Sequence, residues 1–392
     1  MTTDPFPDRA DAVRSLAAEL GWTAIAVRLA SLDARGDSFV TGHVVDVVDG
    51  DGSPRQHTVY LEGELDSPES GYPVESAAGE RLTAWLYPAD PALPALATAV
   101  TPETAAALVS PLGLEPEQLE MDVLSYRAGR RAVIRATTPS GTVFLKVVGP
   151  HRVEAIRERH AMWREHGIPV PAVRSWDSDG MLVLDPLVGS EIIGMLDRLP
   201  GDDGLVSAVC ELSRRIAGVP STEPARPSLA HRIDWYRGRL AQLAPEHESR
   251  THSVCDIVAL TLAAAPAAPA PVTIHGDLHL AQLFALRDDP LTVTGVLDID
   301  TAGLGDPADD AGALVAHLLA SADLTERTVG APAARRARGL ALSFVEAWDD
   351  NPDAALAIRA RAIAATHLLG HGLSGSLEAH RCLELAESML RD

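Results

Sequence analysis

One amine stands apart among the charged side chains of this chain. Of 33 basic residues only Lys146 is a lysine, and it lies in the apolar run 143–148. Arginine presents a wide planar fork, whereas lysine is a compact charge on a flexible stem and fits where a guanidinium would clash. A lysine on an apolar strand is therefore suited to neutralising the phosphates of a bound nucleotide. The alternative is that one lysine has merely survived a bias toward arginine.

Polar residues with complementary chemistry follow in the second half of the chain. Asp277, in a His-Gly-Asp tripeptide, is followed five positions later by Gln282, and the apolar stretch 295–297 leads into Asp298. A carboxylate such as Asp277 can orient a hydroxyl and take its proton, and amide or carboxylate oxygens suit Mg²⁺. A strand lysine, a loop carboxylate with an amide five positions later, and a further carboxylate after a short strand are the ordered parts of phosphoryl transfer.

These motifs resemble those of the aminoglycoside phosphotransferase family, whose members share the protein-kinase-like fold and phosphorylate small molecules. The His-Gly-Asp tripeptide and the stretch 297–310 carry the resemblance, which extends over about residues 120–392. The family usually has asparagine at the position of Gln282. Maltokinases, a branch of the same superfamily, are more similar here, since their loop reads His-Leu-Gly-Gln after His-Gly-Asp. That pattern also accounts for His279.

The resemblance implies roles for the polar residues of this region. Asp277 would orient the acceptor hydroxyl and take its proton, while His275 would brace the loop. Gln282 and Asp298 would hold Mg²⁺ ions that bridge the phosphates of ATP. The remaining candidates for supporting the metal site or contacting the substrate are Asp300 and His279.

The nucleotide phosphates are expected to meet an earlier part of the chain. Strands are predicted over 123–126, 132–136 and 142–148. The turn between the first two lacks the usual glycine-rich pattern, but Gly129 can bring backbone amides close to a phosphate and Arg130 adds positive charge.

A helix predicted over 152–166 follows the lysine strand and carries two glutamates one turn apart. The family pattern favours Glu158 as the partner of Lys146, and Glu154 is expected to pair with a neighbouring arginine instead. After a strand at 181–184, the backbone from Asp185 to Leu187 would meet the adenine edge.

Further charged and titratable residues receive structural interpretations. Asp306 and Asp310 are expected to anchor the segment after the metal site through hydrogen bonds to backbone amides. His367 and His371 lie one helical turn apart, which would suit a metal pair. Because no third ligand lies nearby in the sequence, they are interpreted as ordinary helix-face histidines.

The sequence predicts an α+β protein with a bilobal protein-kinase-like fold, preceded by a small α+β domain. Residues 1–118 form an acidic amino-terminal cap domain, with a helix over 11–20 and strands over 39–48, 57–61 and 81–87. Residues 119–188 form the small β-rich lobe and 189–392 the large helical lobe with the catalytic loop. In that lobe helices are predicted over 233–243, 254–263, 311–319, 335–348, 354–369 and 377–390.

Composition restricts the partners. A formal net charge of -22 and a pI near 5.0 argue against binding nucleic acid, whose phosphates favour basic surfaces. The three cysteines lack metal-ligand spacing, and neither a signal peptide nor a membrane span is apparent, so a cytoplasmic protein is expected. The oligomeric state is left open.

The predicted function is transfer of the γ-phosphoryl group of ATP to a hydroxyl of a small molecule: a sugar, an amino sugar or an aminoglycoside. The sequence leaves two alternatives open. An ATP-binding regulator without turnover would explain Gln282 and the missing glycine-rich loop. An interaction scaffold would explain the acidic first domain.

Overall fold

The computed structural model describes residues 6–36, 38–63, 71–199, 201–328, 330–349 and 351–391. The chain forms two compact units: Met1–Arg157 with Val173–Pro186, and Glu158–Ala172 with Leu187–Asp392. The first unit is rich in strands and the second in helices. This confirms the predicted α+β class.

The first unit begins with an antiparallel five-stranded sheet. Its strands are β1 (Thr23–Arg35), β2 (Ser38–Val48), β3 (Pro54–Gly63), β4 (Tyr72–Glu75) and β5 (Arg81–Leu86), in the order β1-β2-β3-β5-β4. Helix α1 (Pro7–Glu19) packs on this sheet through Val13 and Leu16, which share a core with Val45 and Leu61. The predicted helix and three strands are confirmed, while β1 and β4 were not predicted.

A second antiparallel sheet in this unit contains the predicted lysine strand. Its strands are β6 (Glu120–Arg127), β7 (Arg131–Thr138), β8 (Gly141–Val148), β9 (Val173–Trp176) and β10 (Met181–Leu184), in the order β6-β7-β8-β10-β9. The short helices α2 (Leu96–Val100) and α3 (Pro102–Val109) pack on it, since Leu96 and Val109 share a core with Ile134 and Leu145. Residues 93–109, which the sequence assigned to the amino-terminal domain, therefore complete the core of the second sheet.

Successive side chains of β8 point to opposite faces of its sheet. Val143, Leu145 and Val147 enter the core that α2 and α3 cover. Phe144 and Val148 pack on the other face, against residues of helix α4 (Val153–Glu165). By alternation, Lys146 lies on this second face.

The second unit is mainly helical. Its helices are α5 (Asp202–Ala217), α6 (Ile233–Leu243), α7 (Glu248–Ala264), α8 (Pro307–Thr328), α9 (Ala331–Asp349), α10 (Leu356–Leu373) and α11 (Ala379–Arg391). All six helices predicted here are present, and α5 is additional. None of the helices in the described residues is long and apolar enough to cross a membrane.

Five short strands interrupt the helices of this unit. They are β11 (Ser190–Glu191), β12 (Val272–Ile274), β13 (Leu283–Ala285), β14 (Val293–Val296) and β15 (Gly303–Gly305). β12 pairs with β15, and β13 pairs with both β11 and β14. Loop 275–282 runs from β12 to β13, and loop 297–302 runs from β14 to β15. Because the strands at both ends are paired, the two loops lie side by side.

Candidate active site

The two adjacent loops bring together most of the polar residues that the sequence singled out. Loop 275–282, here called the catalytic loop, carries Asp277 and Gln282, and loop 297–302 carries Asp298. The amide of Leu297 donates to the carbonyl of Gln282 at 2.8 Å, which joins the loops directly. Gln282 and Leu297, 15 positions apart in sequence, thus become neighbours through strand pairing.

A buried carboxylate on α8 holds the start of the catalytic loop. Asp310 accepts hydrogen bonds from the amides of His275 and Gly276, both at 2.7 Å. Burial raises the pKa of Asp310, while these amide donors and His275 oppose the shift. The sequence correctly predicted that Asp310 accepts from backbone amides, but the anchored segment is the catalytic loop and not the segment after the metal site. For Asp306 the prediction agrees with the structure, since its Oδ1 accepts from the amide of Ala308 at 2.9 Å in the first turn of α8; its carboxylate also pairs with Arg359.

The side chain of His275 links the two loops through a hydrogen bond. It is fully buried, and its Nε2 lies 2.8 Å from the carbonyl oxygen of Leu297, to which it donates. The hydroxyl of Thr301 donates to the His275 carbonyl at 3.0 Å. His275 therefore positions the loop, as the bracing role requires.

Asp277 lies in a basic and imidazole-rich setting. Its Oδ1 lies 3.3 Å from an Nη of Arg226, 3.6 Å from Nε2 of His317 and 4.0 Å from Nδ1 of His367. Burial by itself would raise the pKa of the carboxyl, but the nearby His317 imidazole and the Arg226 charge outweigh it and hold the pKa well below its ordinary value. Asp277 is thus ionised at neutral pH, as an acceptor-orienting carboxylate must be.

Three further imidazoles surround the ring of His317. Ring centroids lie 4.3 Å away for His279, 4.8 Å for His371 and 5.7 Å for His367. Burial lowers the pKa of His279 to about 3 and that of His371 to about 4, and it holds the pKa of His367 well below its ordinary value. These three rings are neutral near pH 7. The interpretation of His367 as an ordinary helix-face histidine is wrong, because its Nδ1 lies 4.0 Å from Asp277, in a group with His317. His371 lies beside the ring of His317 instead.

Gln282 and Asp298 fit the predicted metal-binding role. The Oε1 of Gln282 is buried and has no hydrogen-bond partner among the described residues, which leaves an amide oxygen with open lone pairs. Asp298 has φ 60° and ψ 40°, a left-handed conformation that costs free energy for a residue with a Cβ and often marks a functional position. Two hard oxygen donors at the ends of adjacent loops are suited to Mg²⁺.

The other two candidates of this region lie beside the same loops. His279 is influenced by the charges of both Asp277 and Asp298. The backbone carbonyl of Asp300 accepts a hydrogen bond from Arg159 at 3.1 Å. A substrate or metal-supporting role for the side chains of His279 and Asp300 stays a prediction.

The predicted phosphate turn in the first unit contacts the first sheet. The amide of Gly129 donates to Asp90 at 2.5 Å, and Tyr126 donates to the same carboxylate oxygen at 2.7 Å. Arg35 donates to the carbonyl of Ala128, also at 2.5 Å. The turn is thus fastened from the side of the amino-terminal sheet.

Arg130 in the same turn is also engaged. It donates to the carbonyl of Ala34 at 3.2 Å and pairs with Asp33 at 3.3 Å. The phosphate contacts predicted for Gly129 and Arg130 stay predictions, and in this conformation both groups have protein partners.

The other nucleotide-binding candidates lie where their elements were expected. Lys146 is buried on β8, and Glu158 is on α4. Glu154 pairs with Arg157, as the sequence predicted. Asp185 lies 3.4 Å from Arg174, and Leu187, at the start of the second unit's main segment, packs over Gly295 of β14.

Sequence reasoning missed Arg226 and His317. Arg226 lies in a connection that runs along β15, where its amide donates to Thr301 at 2.9 Å and its side chain donates to the Gly276 carbonyl at 2.8 Å. His317 lies within α8. Neither residue belongs to a motif, and no spacing in the sequence distinguishes Arg226 from the many other arginines.

Comparison with known proteins identifies relatives. The model of a phosphotransferase enzyme family matches residues 123–357. No curated protein sequence matches the chain. The chain is similar to a solved glucosamine kinase in complex with glucosamine, ADP and inorganic phosphate, at 16% identity over 100% of this chain and 99% of that chain, with a TM-score of 0.45. It is also similar to a solved aminoglycoside-3'-phosphotransferase of type VIII, at 20% identity over 63% of this chain and 93% of that chain, with a TM-score of 0.43. A third similar structure is a Plasmodium vivax ethanolamine kinase, at 11% identity over 75% of this chain and 88% of that chain, with a TM-score of 0.45.

Proposed function

The chain belongs to the phosphotransferase enzyme family, whose members are small-molecule kinases, and we propose that it transfers the γ-phosphoryl group of ATP to a hydroxyl of a sugar or amino sugar. One observation carries the proposal. Asp277 is an ionised carboxylate on an anchored loop, and it lies next to a loop that presents the metal-binding candidates. In phosphoryl transfer the protein mainly positions the reacting groups and stabilises the charge on the phosphate oxygens, and this arrangement of residues is suited to both tasks.

The residues around Asp277 favour an uncharged acceptor group. Its described polar neighbours are Arg226, a cation, and the imidazoles of His317 and His367. A polycationic aminoglycoside requires acidic groups to balance its ammonium charges, and these neighbours supply none. Imidazole nitrogens can donate to and accept from hydroxyls, so a sugar fits better than an aminoglycoside.

The chain's own residues divide the work of transfer. Asp277 orients the acceptor hydroxyl and takes its proton, while Asp310 and His275 hold the loop that carries it. Gln282 and Asp298 would hold Mg²⁺, which when bound neutralises charge on the phosphate oxygens. Lys146, in the first unit, is proposed to neutralise the phosphates that are not transferred, and the role of Glu158 as its partner stays a prediction.

The test is ADP release from Mg-ATP by the purified protein with separate pools of sugars, amino sugars, aminoglycosides and amino alcohols. We expect stimulation by the sugar or amino sugar pool. The Asp277→Asn variant should lose turnover, because the amide cannot accept the proton, and should keep its fold since the substitution is isosteric. An exposed carboxylate on α7 offers a matched control, and Asp256→Asn should keep normal turnover.

Two results would contradict the proposal. Stimulation by the aminoglycoside pool alone would contradict the argument from the charges around Asp277. Near-normal turnover in a folded Asp277→Asn protein would overturn its assignment as the acceptor-orienting base.

A further inference from the structure

We infer that Asp277, His317 and His367 form a binding site for a divalent transition-metal ion of the zinc class, separate from the magnesium ligands. One ligand atom from each of the three residues lies within 4.8 Å of the others. Two imidazoles and one carboxylate are a donor set typical of zinc and related divalent ions. Mg²⁺ prefers oxygen ligands, so it would not compete strongly for this set.

The separations are close to those of a closed site. Ligands at the usual zinc distances of about 2.0–2.2 Å in a tetrahedron stand about 3.3 Å apart. Oδ1 of Asp277 lies 3.6 Å from His317 Nε2 and 4.0 Å from His367 Nδ1. Contraction of less than about 1 Å, within reach of side-chain rotation, would bring both nitrogens to that distance.

The protonation states favour metal binding. A metal ligand must be a neutral imidazole or an ionised carboxylate. Burial holds the pKa of His367 well below its ordinary value, and the pKa of Asp277 is also low. Both groups are therefore in the ligating form near pH 7.

A fourth imidazole provides a second observation. The Nε2 of His371 is buried without a hydrogen-bond partner among the described residues, and its ring centroid lies 4.8 Å from that of His317. A buried nitrogen with an open lone pair costs free energy unless something satisfies it. A metal ion, or a water bound to it, would do so. Arg226 opposes the ion because its charge lies 3.3 Å from the same Asp277 oxygen, which limits the affinity.

Occupation of this site would inhibit the proposed reaction. An ion on Oδ1 of Asp277 displaces the acceptor hydroxyl from its base, so inhibition should compete with the acceptor. Excess Mg-ATP should not relieve it. This consequence rests on the proposed function, whereas binding of the ion does not.

Binding is tested on the full chain after removal of metals with a chelator. Co²⁺ reports its coordination by visible absorption, and Zn²⁺ affinity is measured by competition with a chromophoric chelator. His317→Gln and His367→Gln should each weaken Zn²⁺ binding by at least about 100-fold, beyond the 10–100-fold typical of losing a second-shell partner. His380→Gln, an exposed histidine on α11, is the matched control and should bind like the wild type.

The outcomes separate this inference from the proposed function. One equivalent of tightly bound ion, lost in both variants and kept in the control, supports the site even if no acceptor is found. An active kinase that binds no stoichiometric Zn²⁺ or Co²⁺, or whose affinity is unchanged in both variants, overturns the site alone. His317 is partly exposed, so its variant keeps the test decisive if His367→Gln does not fold.

Discussion

Replacing Asp310 by asparagine tests whether this carboxylate acts by anchoring the catalytic loop, since Asp310 itself bonds to backbone amides of that loop. The Asp310 carboxylate uses one oxygen for the amide of His275 and the other for that of Gly276, both at 2.7 Å. Asparagine keeps one acceptor oxygen but turns an NH₂ group toward the second amide. One backbone N–H is then left buried and opposed by another donor.

The expected cost follows from these contacts. A hydrogen bond to a charged group contributes about 1.5–3 kcal/mol, and a buried unsatisfied amide costs about 1–3 kcal/mol. Both estimates partly count the same lost contact and do not simply add, so the free energy of unfolding should fall by about 2–5 kcal/mol in total. At about 2–4 °C per kcal/mol for a unit of this size, the melting temperature should fall by roughly 4–20 °C. A shift of about 1 Å in the loop would lower kcat by about 100-fold.

Thermal unfolding and steady-state kinetics of Asp310→Asn measure both effects. Asp309, the residue before it on α8, is also buried, and its neighbours among the described residues lie outside the catalytic loop, so Asp309→Asn is the matched control. We expect kcat to fall for Asp310→Asn only, with a smaller change in KM for ATP. Wild-type kcat in Asp310→Asn, or an equal loss in both variants, would refute the anchoring role.

Three further predictions follow from burial and polar satisfaction. Burial raises the pKa of Asp309 to about 6, so between about pH 4 and 6 the unfolded state releases a proton that the folded state keeps, and stability is lost as the pH rises through this window. Asp309→Asn should therefore be more stable than the wild type at pH 7.5 by at most about 3 kcal/mol, seen as a higher melting temperature, and the gain should shrink near pH 4. Burial lowers the pKa of His371 to about 4, so stability is lost as the pH falls from about 6.5 toward 4, and the melting temperature of His371→Gln should vary less than that of the wild type between pH 7 and 5. Gln282→Met removes an unsatisfied buried oxygen, so its melting temperature without Mg²⁺ should be unchanged or higher while Mg²⁺-dependent turnover is lost; a lower melting temperature with normal turnover would contradict the metal role.

The elements with clear local patterns were predictable. β6, β7 and β8 are short antiparallel strands joined by tight turns, and α6 has the bounds that its apolar spacing indicates. β1 was missed because it is half-exposed and carries two register shifts, which interrupt the alternation of buried and exposed residues. α5 begins with Asp-Asp-Gly, and a glycine in the first turn weakens the helical signal.

The site was predictable only where it is local in sequence. His275, Asp277 and Gln282 share one loop, and Asp298 follows a short strand, so their spacing survives as a motif. Recognition of the phosphotransferase family from that motif is confirmed by the match over residues 123–357.

The remaining site residues come from separate elements. Arg226 lies in a connection, His317 on α8 and His367 on α10, and tertiary packing alone brings them to Asp277. A histidine inside an apolar helix has the same local pattern whether it faces a core or a carboxylate. The sequence therefore indicated the loop residues of the candidate site but not the arginine and the two histidines that surround Asp277.

The turn that was expected to bind phosphate leads to a related conclusion about charge. The Gly129 amide is suited by its lack of a side chain to approach a phosphate, yet it donates to the Asp90 carboxylate at 2.5 Å. A phosphate oxygen at that amide would have to displace Asp90 and would meet its negative charge at close range. Arg35 further fastens the turn through Ala128. Because the Gly129 amide already has a carboxylate partner, we propose that Lys146 is the main group of this unit that neutralises nucleotide phosphates, and this role would give a physical reason for retaining one lysine in a chain that otherwise uses arginine.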